Sequence, residues 1–376
     1  MVTIRSGRAA HNQRLRRSLA FLVVTALLGA CGSGGGGAHD ARPTSPATDH
    51  ADAPAHSQRV LEDAVKAGAP GCSAAVGSKG KVVWTGVRGV ANTATGDEIN
   101  TNTVFDIGSV SKQFTATATL LLADERRLKL DDPLSKYMPE FPAWAATVTL
   151  TQLLHQTSGI PEYEGLLVSH GYQSSDHTTQ DQALQEVAAS RPLFKPGTRF
   201  AYSNSNYLLL GEVVHRVSRE PLPQFLNSEI FRPLGLAMVM DPVGKIPQKA
   251  VSYASESDGY RVAGSSWEQI VDGAIQTTPS QLVRWADNYR TGSVGGPKLI
   301  DAQVSGAVEV APGAPVRYGT GIYIMANGGL DHDGAWAGFV TAFRVSKDRL
   351  TSVAISCNTD EQNAEALAES IAKLWM

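Results

Sequence analysis

Ser109 and Lys112 carry the two side chains that covalent acyl transfer needs, a hydroxyl nucleophile and an amine that can activate it. They follow an extended segment, 103–108, and open a predicted helix whose apolar face includes Phe114 and Leu121. A spacing of three residues in a first helical turn places both side chains on one face, within reach of each other. The pair predicts a serine nucleophile with a lysine base, provided that burial or nearby positive charge lowers the lysine pKa.

The Ser-x-x-Lys spacing alone is weak evidence, because Ser78 and Lys81 share it within a predicted hairpin turn. At Ser109 the competing interpretation is an ordinary N-cap serine followed by a surface lysine. The positive end of the helix dipole favours anionic character on the Ser109 oxygen, which supports the catalytic interpretation.

A phenol and an amide lie two residues apart, at Tyr202 and Asn204, in a predicted loop before a helix that begins near Ser205. A tyrosine in such a position can relay a proton to a leaving group, and an asparagine can hold a substrate amide while it hydrogen-bonds the lysine. The competing interpretation is a turn with a capping side chain.

His332, Asp333 and Gly334 enter the edge of a predicted C-terminal sheet. A glycine there would let a substrate backbone lie against the strand. The N–H of Ala335 would join that of Ser109 in an oxyanion hole, which stabilises the charge that develops on an attacked carbonyl oxygen.

Three groups of residues follow one another in the chain: Ser109 with Lys112, Tyr202 with Asn204, and His332 to Gly334. In this order they resemble the three motifs of the penicillin-binding protein and class C β-lactamase family of serine hydrolases, which includes DD-peptidases and related esterases. The similarity covers about 58–376, because further segments resemble the same family: 105–114, 153–159, 202–207 and 233–236. The resemblance implies an α/β (α+β) fold, β-lactamase/transpeptidase-like, with an antiparallel sheet flanked by N- and C-terminal helices. It also implies an all-helical lobe, with the active site between lobe and sheet.

The resemblance implies a role for each matching residue. Ser109 would be the acylated nucleophile, Lys112 its activator, and Tyr202 the general base or proton relay. Asn204 would anchor the substrate and the lysine, and His332 would be the electrostatic residue of the third motif.

Asp333 departs from the family pattern, in which Lys or His is followed by Thr or Ser and then Gly. If its side chain faces the cleft, it would repel the carboxylate of a β-lactam or a D-Ala-D-Ala terminus; if it faces away, as strand neighbours alternate, this objection weakens. An unperturbed His332 titrates near ~6.5, so we expect activity to vary between pH 5 and 8. Tyr163 and Trp336 are more readily explained as packed aromatic residues than as cleft residues.

The elements that must position these groups follow from hydrophobic periodicity. Strand patterns lie near both ends of the chain, at 72–77, 81–90, 338–346 and 351–357, and a helical pattern follows at 362–375. Helical patterns fill the middle, at 112–130, 149–155, 181–190, 205–218 and 279–291. The patterns predict one catalytic domain at 58–376, with an α/β part at about 58–110 and 300–376 and a helical lobe at about 111–299.

Residues 1–30 predict a lipoprotein signal peptide, because five arginines precede an apolar run, 19–28, that is too short to span a bilayer. The run ends before Cys31 in a sequence that resembles the bacterial lipobox, in which the cysteine is lipidated; an ordinary secretory peptide is the alternative. Residues 31–57 are rich in small and polar residues and predict a flexible tether. We therefore expect an exported protein of the cell envelope, held at a membrane by a lipid anchor.

Composition excludes several other classes of protein. After residue 30, the chain holds 28 basic and 36 acidic residues, which argues against nucleic acid as a partner. Its three cysteines, at 31, 72 and 357, lack zinc-site spacing and are too few for a disulfide scaffold. Export would permit a disulfide between Cys72 and Cys357, with two buried thiols as the alternative. We expect a monomer that needs no metal and no organic cofactor.

The leading hypothesis is a serine acyl hydrolase of DD-peptidase or esterase type that acts through a Ser109 acyl-enzyme. Its substrate would be a small molecule or a peptide, with peptidoglycan and β-lactams as candidates. A β-lactamase is the first alternative, favoured by the tyrosine motif and disfavoured by Asp333. A non-catalytic module that binds peptidoglycan or β-lactams is the second, and the presence of all the named catalytic residues argues against it.

Overall fold

The computed structural model of the chain describes residues 52–269 and 273–376. The predicted signal peptide, Cys31 and residues 32–51 of the predicted tether lie outside the described residues. The helices are α1 (Ala53–Ala64), α2 (Lys112–Asp124), α3 (Leu150–Leu154), α4 (Tyr163–Ser169), α5 (Gln180–Ala189), α6 (Asn204–Ser218), α7 (Leu222–Leu226), α8 (Pro279–Trp285), α9 (Asn288–Thr291), α10 (Gly296–Val304) and α11 (Ala364–Trp375). The strands are β1 (Cys72–Ser78), β2 (Lys81–Arg88), β3 (Val90–Asn92), β4 (Asp97–Glu98), β5 (Phe105–Asp106), β6 (Val239–Met240), β7 (Ser252–Glu256), β8 (Gly259–Ala263), β9 (Ile275–Thr277), β10 (Val308–Glu309), β11 (Arg317–Tyr318), β12 (Tyr323–Ile324), β13 (Leu330–Trp336), β14 (Phe339–Val345) and β15 (Thr351–Cys357).

Within the described residues, eight strands form one antiparallel sheet in the order β10-β11-β12-β13-β14-β15-β1-β2. The N-terminal hairpin completes the C-terminal strands, because β1 pairs with β15 on one side and with β2 on the other. Cys72 lies directly opposite Cys357 in this pairing, and the two are joined by a disulfide. The predicted fold class, an antiparallel sheet with flanking helices, is confirmed.

Helices cover both faces of the sheet. On one face α1 and α11 pack together, with Leu61 of α1 and Ile371 of α11 buried against Val76 and Ile355 of the strands. The other face meets the larger core, at whose centre α2 is buried on nearly all sides by α6, α7 and α10. The 3-10 turn that leads into α2, Gly108–Ser111, packs against strand β13, so α2 supports the site from below this turn.

Several elements differ from the sequence predictions. Helix α1 begins at Ala53, so residues 53–57 of the predicted tether are helical, and Ser57 is buried where its Oγ accepts a hydrogen bond from Trp375 Nε1 at 2.8 Å. Helix α2 ends at Asp124 rather than at 130, because Arg126 has a left-handed φ of 60°. The predicted helix at 279–291 is two helices, of which α8 packs on β1 and β15 rather than within a separate lobe.

The sequence analysis also missed the hairpin of β7 and β8 and a small sheet in the order β5-β9-β6. The strands of the small sheet have only two or three residues, too few for a periodic pattern. The described residues belong to one compact unit. Among the residues that the structure describes, no helix is both long enough and apolar enough to cross a membrane.

Candidate active site

Ser109 lies in a single turn of 3-10 helix, Gly108–Ser111, between β5 and α2. Gly108 has a φ of +51°, a conformation that favours glycine, and a Cβ there would lie 2.8 Å from the backbone nitrogen of Ala335. The buried carboxylate of Asp106 accepts hydrogen bonds from Gly108 N at 2.8 Å and from Gln276 Nε2 at 2.7 Å, which ties the turn to β9. The turn is thus held from both sides, and it presents the half-exposed Ser109 side chain to solvent.

Lys112 is completely buried, and its Nζ donates hydrogen bonds to Ser109 Oγ at 2.9 Å and to Asn204 Oδ1 at 2.7 Å. The same nitrogen lies 5.2 Å from the centre of the Tyr202 ring and 5.7 Å from that of Tyr207. The predicted contact between serine and lysine is therefore present, and Asn204 joins it from the first turn of α6. A lysine at this position can take the serine proton directly.

Two acidic side chains at the start of α4 hold Asn204, one by its side-chain amide and one by its backbone. Glu164 Oε1 accepts a hydrogen bond from Asn204 Nδ2 at 2.9 Å, and Glu162 Oε2 accepts one from Asn204 N at 2.8 Å. With its nitrogen held by Glu164, the amide must turn its oxygen to Lys112. A chain of hydrogen bonds therefore runs from Glu164 through Asn204 and Lys112 to Ser109.

Tyr202 packs beside this chain, just before α6. Its hydroxyl is buried and has no partner at hydrogen-bond geometry among the described residues. Burial raises the pKa of Tyr202 well above its ordinary value and Tyr323 raises it further, while the nearby Ser109 hydroxyl lowers it. Tyr202 is therefore a neutral phenol, which suits the predicted role of proton relay better than that of a general base.

His332 is buried behind the site, with its ring 6.4 Å from that of Tyr202 and 5.2 Å from that of Tyr323. Its Nδ1 lies 2.6 Å from the Asp333 carbonyl oxygen, and its Nε2 lies 3.4 Å from the Tyr318 hydroxyl. Burial lowers the His332 pKa to about 4. His332 is thus neutral at pH 7, and the expected change in its charge between pH 5 and 8 is wrong, because the surrounding tyrosines exclude water from the ring.

Asp333 lies on the opposite face of β13. It pairs across the sheet with Ala342, which packs with α1 and α11, whereas His332 pairs with Phe343 on the face of the larger core. The Asp333 carboxylate interacts with Glu365 of α11 and is absent from the cavity lining. Of the two orientations considered from the sequence, the structure has the one that weakens the objection to carboxylate-bearing substrates.

Gly334 and Ala335 meet the turn of Ser109 backbone to backbone. A Cβ at Gly334 would overlap the carbonyl oxygen of Ile107 and lie 3.0 Å from Ser109 N. The chain that approaches Gly334 is therefore this protein's own backbone rather than the substrate backbone expected from the sequence. The contact brings the main chains of Ser109 and Ala335 together at the cavity, where the predicted oxyanion hole would lie.

A small cavity opens in front of Ser109. Its described lining residues are Gly108, Ser109, Tyr163, Glu164, Asn204, Gln269, Gly273, Ala274, Ala335 and Trp336. The sequence analysis missed Glu164 and Gln269, and it assigned Tyr163 and Trp336 to packing. No spacing rule could have found them, because they come from loops and element ends whose paths the sequence does not specify.

Known proteins resemble this chain in sequence. The β-lactamase family model matches residues 57–374. PbpX of Bacillus subtilis (strain 168), named as a penicillin-binding protein, is 31% identical over 286 residues, which are 73% of this chain and 67% of PbpX. Protein flp of Staphylococcus aureus (strain COL) is 30% identical over 213 residues, 55% of this chain, and the chain spans only 41% of its length.

Solved structures share the fold at lower sequence identity. A penicillin-binding protein from Bacillus halodurans has a TM-score of 0.76 at 22% identity, over 85% of this chain and 99% of its own. The D-amino acid amidase of Ochrobactrum anthropi SV3 has a TM-score of 0.75 at 22% identity, over 86% of this chain and 98% of its own. At these identities the likeness is one of fold.

Proposed function

Since the chain belongs to the β-lactamase family of serine hydrolases, we propose that it is an acyl hydrolase of DD-peptidase or esterase type whose nucleophile is Ser109. One observation carries the proposal: Lys112 Nζ lies 2.9 Å from Ser109 Oγ, completely buried, while Ser109 opens on a cavity. This arrangement supports the proposal, because acyl transfer requires a hydroxyl, a group that can accept its proton and a space for the acyl group at one point.

In the first step, Ser109 Oγ attacks the substrate carbonyl carbon as its proton passes to Lys112 Nζ. The negative charge on the carbonyl oxygen is stabilised by the N–H groups of Ser109 and Ala335. Tyr202, a neutral phenol, passes a proton to the leaving amine or alcohol and recovers one from Lys112. The bond from carbonyl carbon to leaving group breaks, and the acyl group remains on Ser109 as an ester.

In the second step, a water molecule attacks this ester and gives up a proton through the same side chains. The bond between the carbonyl carbon and Ser109 Oγ breaks, the proton returns to Ser109, and the carboxylic acid leaves. Asn204 keeps Lys112 directed at Ser109 throughout, because its oxygen accepts from Nζ at 2.7 Å.

A β-lactamase is the second candidate, and a specific observation favours it. The main argument against it was a carboxylate at 333 facing the substrate, and the Asp333 side chain lies with Glu365 on the far face of β13. The β-lactam amide is an acyl donor for the same two steps. Hydrolysis of a chromogenic cephalosporin separates the two candidates, since a peptidase would be acylated without rapid turnover.

The experiment is intact mass spectrometry of the purified protein with a penicillin, an ester and a peptide ending in D-Ala-D-Ala, sampled from seconds to hours. We expect a Ser109-dependent adduct or product with at least one of them. The Ser109→Ala variant should form neither the adduct nor the product. The control variant Ser78→Ala, from the other Ser-x-x-Lys sequence, should behave like the wild type. Turnover that survives Ser109→Ala would end the proposal.

We further propose that the protein is exported and held at the cell envelope by a lipid on Cys31. The support is the arginine-rich start, the apolar run and the small residues before this cysteine. In a bacterial host, Cys31→Ser should move the protein from the membrane fraction to the soluble fraction. An unchanged membrane fraction would contradict lipidation at this residue.

A further inference from the structure

An open groove lies at the end of the eight-stranded sheet where β1 turns into β2, on the face that α8 covers. Its volume is about 500 Å³, and most of its lining comes from that turn and from α8 and α9. The turn packs directly on the start of α9, because a Cβ at Gly80 would lie 2.8 Å from Asp287. The groove is separate from the Ser109 cavity, with which it shares no described lining residue.

The groove is basic. Its lining has one anionic side chain, Asp287, and three cationic ones: Lys79, Lys81 and Arg284. Arg290 neutralises Asp287, because its Nε and Nη2 donate hydrogen bonds to the two carboxylate oxygens at 2.8 and 3.0 Å. Among the described residues, the three cations of the lining are exposed and form no ion pair. This excess of positive charge is local, since the chain after residue 30 holds 28 basic and 36 acidic residues.

The turn between β14 and β15 extends this basic surface. Lys79 N donates a hydrogen bond to the Leu350 carbonyl oxygen at 2.7 Å, which joins the two turns. Residues 347–349 of the second turn add two cations and one acid. Leu350 is 37% exposed, and Val83 of the edge strand β2 is 48% exposed. Binding to a lipid interface increases both with charge attraction to anionic lipids and with the apolar area that it buries, and this end of the sheet offers both.

The first described helix begins at the same end of the sheet. Helix α11 follows β15 and runs back along the sheet, so its last residues lie toward the start of β15 and the two turns. Ser57, near the start of α1, accepts a hydrogen bond from Trp375 at the end of α11. Ala64, at the end of α1, accepts one from Gln362, just before α11 begins. The two helices are therefore antiparallel, and the chain leaves α1 toward Cys31 at the end where the groove lies.

The Ser109 site lies further along the sheet. The turn of Ser109 meets Gly334, and strand pairing places Gly334 in one row across the sheet with Ser73 of β1. Ser73 is five positions from Ser78, where β1 ends at the groove. At about 3.3 Å per residue, this separation is about 17 Å. A surface that docks at the groove therefore stays at a distance from the Ser109 cavity.

We propose that the groove docks the catalytic domain on an anionic phospholipid membrane, with headgroup phosphates at Lys79, Lys81 and Arg284. The inference goes beyond the proposed acyl transfer and does not depend on it. The proposed lipid on Cys31 would hold the domain near a membrane, and the groove would fix which end of the domain faces it. Each Lys or Arg near an anionic lipid surface contributes about fivefold to the binding constant, so three contribute about 100-fold.

The experiment is flotation of residues 32–376 with vesicles of phosphatidylcholine, either alone or with about one-third phosphatidylglycerol. This chain contains all the described residues, which belong to one compact unit, and it lacks the arginine-rich start, whose own charge would bind anionic vesicles. At 0.1 M salt we expect the anionic vesicles to bind the protein about tenfold or more tightly than the neutral ones. At 1 M salt this difference should vanish, because the Debye length falls from about 10 Å to about 3 Å.

The groove variant carries Lys79→Gln, Lys81→Gln and Arg284→Gln, and it should bind the anionic vesicles about 100-fold more weakly than the wild type. Ser109→Ala should bind them like the wild type, so a failure of the proposed function would leave this test intact. In cells, a wash at 1 M salt separates the groove from the proposed anchor, because it releases a protein held by charge but not one held by a lipid chain.

The matched control variant removes the same charge outside the groove. It carries Lys66→Gln, Lys129→Gln and Arg191→Gln, which replace exposed cations that form no ion pair with another described residue. It should bind the anionic vesicles within about threefold of the wild type, since these residues do not share one surface with the groove. Circular dichroism of both variants checks that they are folded.

Three results would overturn the inference. The first is equal binding of the wild type to neutral and anionic vesicles at 0.1 M salt. The second is a groove variant that binds the anionic vesicles as tightly as the control variant does. The third is a wild type that binds polyphosphate more tightly, per phosphate group, than it binds the vesicles, which would assign the groove to a soluble phosphate polymer instead of a membrane.

Discussion

Gly334 provides the sharpest test of how the nucleophile is held. Its Cα lies against the turn of Ser109, so that in Gly334→Ala the new methyl group would overlap the carbonyl oxygen of Ile107 and lie 3.0 Å from Ser109 N. Ordinary van der Waals contact begins at 3.4 Å. The turn or β13 must therefore move apart by about 1 Å, because both neighbours are backbone atoms that cannot change rotamer.

A displacement of about 1 Å at reacting atoms costs about 100-fold in rate, or ~2.7 kcal/mol of transition-state stabilisation. We expect Gly334→Ala to lower the rate constant for labelling of Ser109 by an uncharged fluorophosphonate by about that factor. The overpacked contact should also lower the free energy of unfolding by about 1–3 kcal/mol. Labelling is measured by intact mass, and unfolding by circular dichroism in urea.

Gly264→Ala is the matched control, because Gly264 has nothing within 4 Å of its Cβ position and no left-handed φ. It should label and unfold like the wild type. If the labelling rate constant of Gly334→Ala lies within about threefold of that of the wild type, the contact between the two backbones does not position Ser109. The expected 100-fold loss from a displaced nucleophile would then be wrong.

Three further predictions follow from buried groups. Burial lowers the pKa of His332 to about 4, so its ionisation should leave kcat/KM flat from pH 5 to 8. Because the unfolded chain binds this proton more readily, the free energy of unfolding should fall as pH decreases from about 6.5 to about 4. Urea titrations at each pH should show a smaller fall in His332→Asn, and an equal fall in both proteins would contradict the assignment. Asp106→Ala leaves the buried N–H donors of Gly108 and Gln276 without their acceptor, so it should lower the free energy of unfolding in urea by about 2–3 kcal/mol. Asp106→Asn keeps one acceptor oxygen and should lower this free energy by less. The disulfide of Cys72 and Cys357 closes a loop with a sequence separation of 285, so its reduction should lower the free energy of unfolding in urea by about 3–5 kcal/mol. A urea midpoint that dithiothreitol leaves unchanged would exclude the bond in solution.

The sequence predicts those contacts of the site that lie within one helical turn. Ser109 and Lys112 share one helical turn, so their spacing alone placed them within reach, and the structure has their side chains 2.9 Å apart. Asn204 lies 92 residues from Lys112 in the chain. No local rule brings these two together: side-chain chemistry showed only that an asparagine can hydrogen-bond the lysine, and the resemblance to a family assigned that role to Asn204.

The features that the sequence did not predict depend on packing between distant elements. His332 has a low pKa because Tyr318 and Tyr323 pack around it, and they belong to strands of two residues, too short to show a pattern. Glu164 lines the cavity because the first turn of α4 lies beside Asn204, whose Nδ2 donates to its carboxylate at 2.9 Å. Both are consequences of side-chain packing, which hydrophobic periodicity does not encode.

The central claim is that turnover passes through an ester on Ser109, and acid quenching during turnover tests it most directly. The purified protein is mixed with a p-nitrophenyl ester that it hydrolyses, stopped in acid while product is still forming, and digested for peptide mass analysis. We predict that the peptide containing Ser109 gains the mass of the acyl group and that Ser109→Ala yields neither this peptide nor product. An unmodified Ser109 peptide during continued turnover, or an acyl group on another residue, would contradict the account.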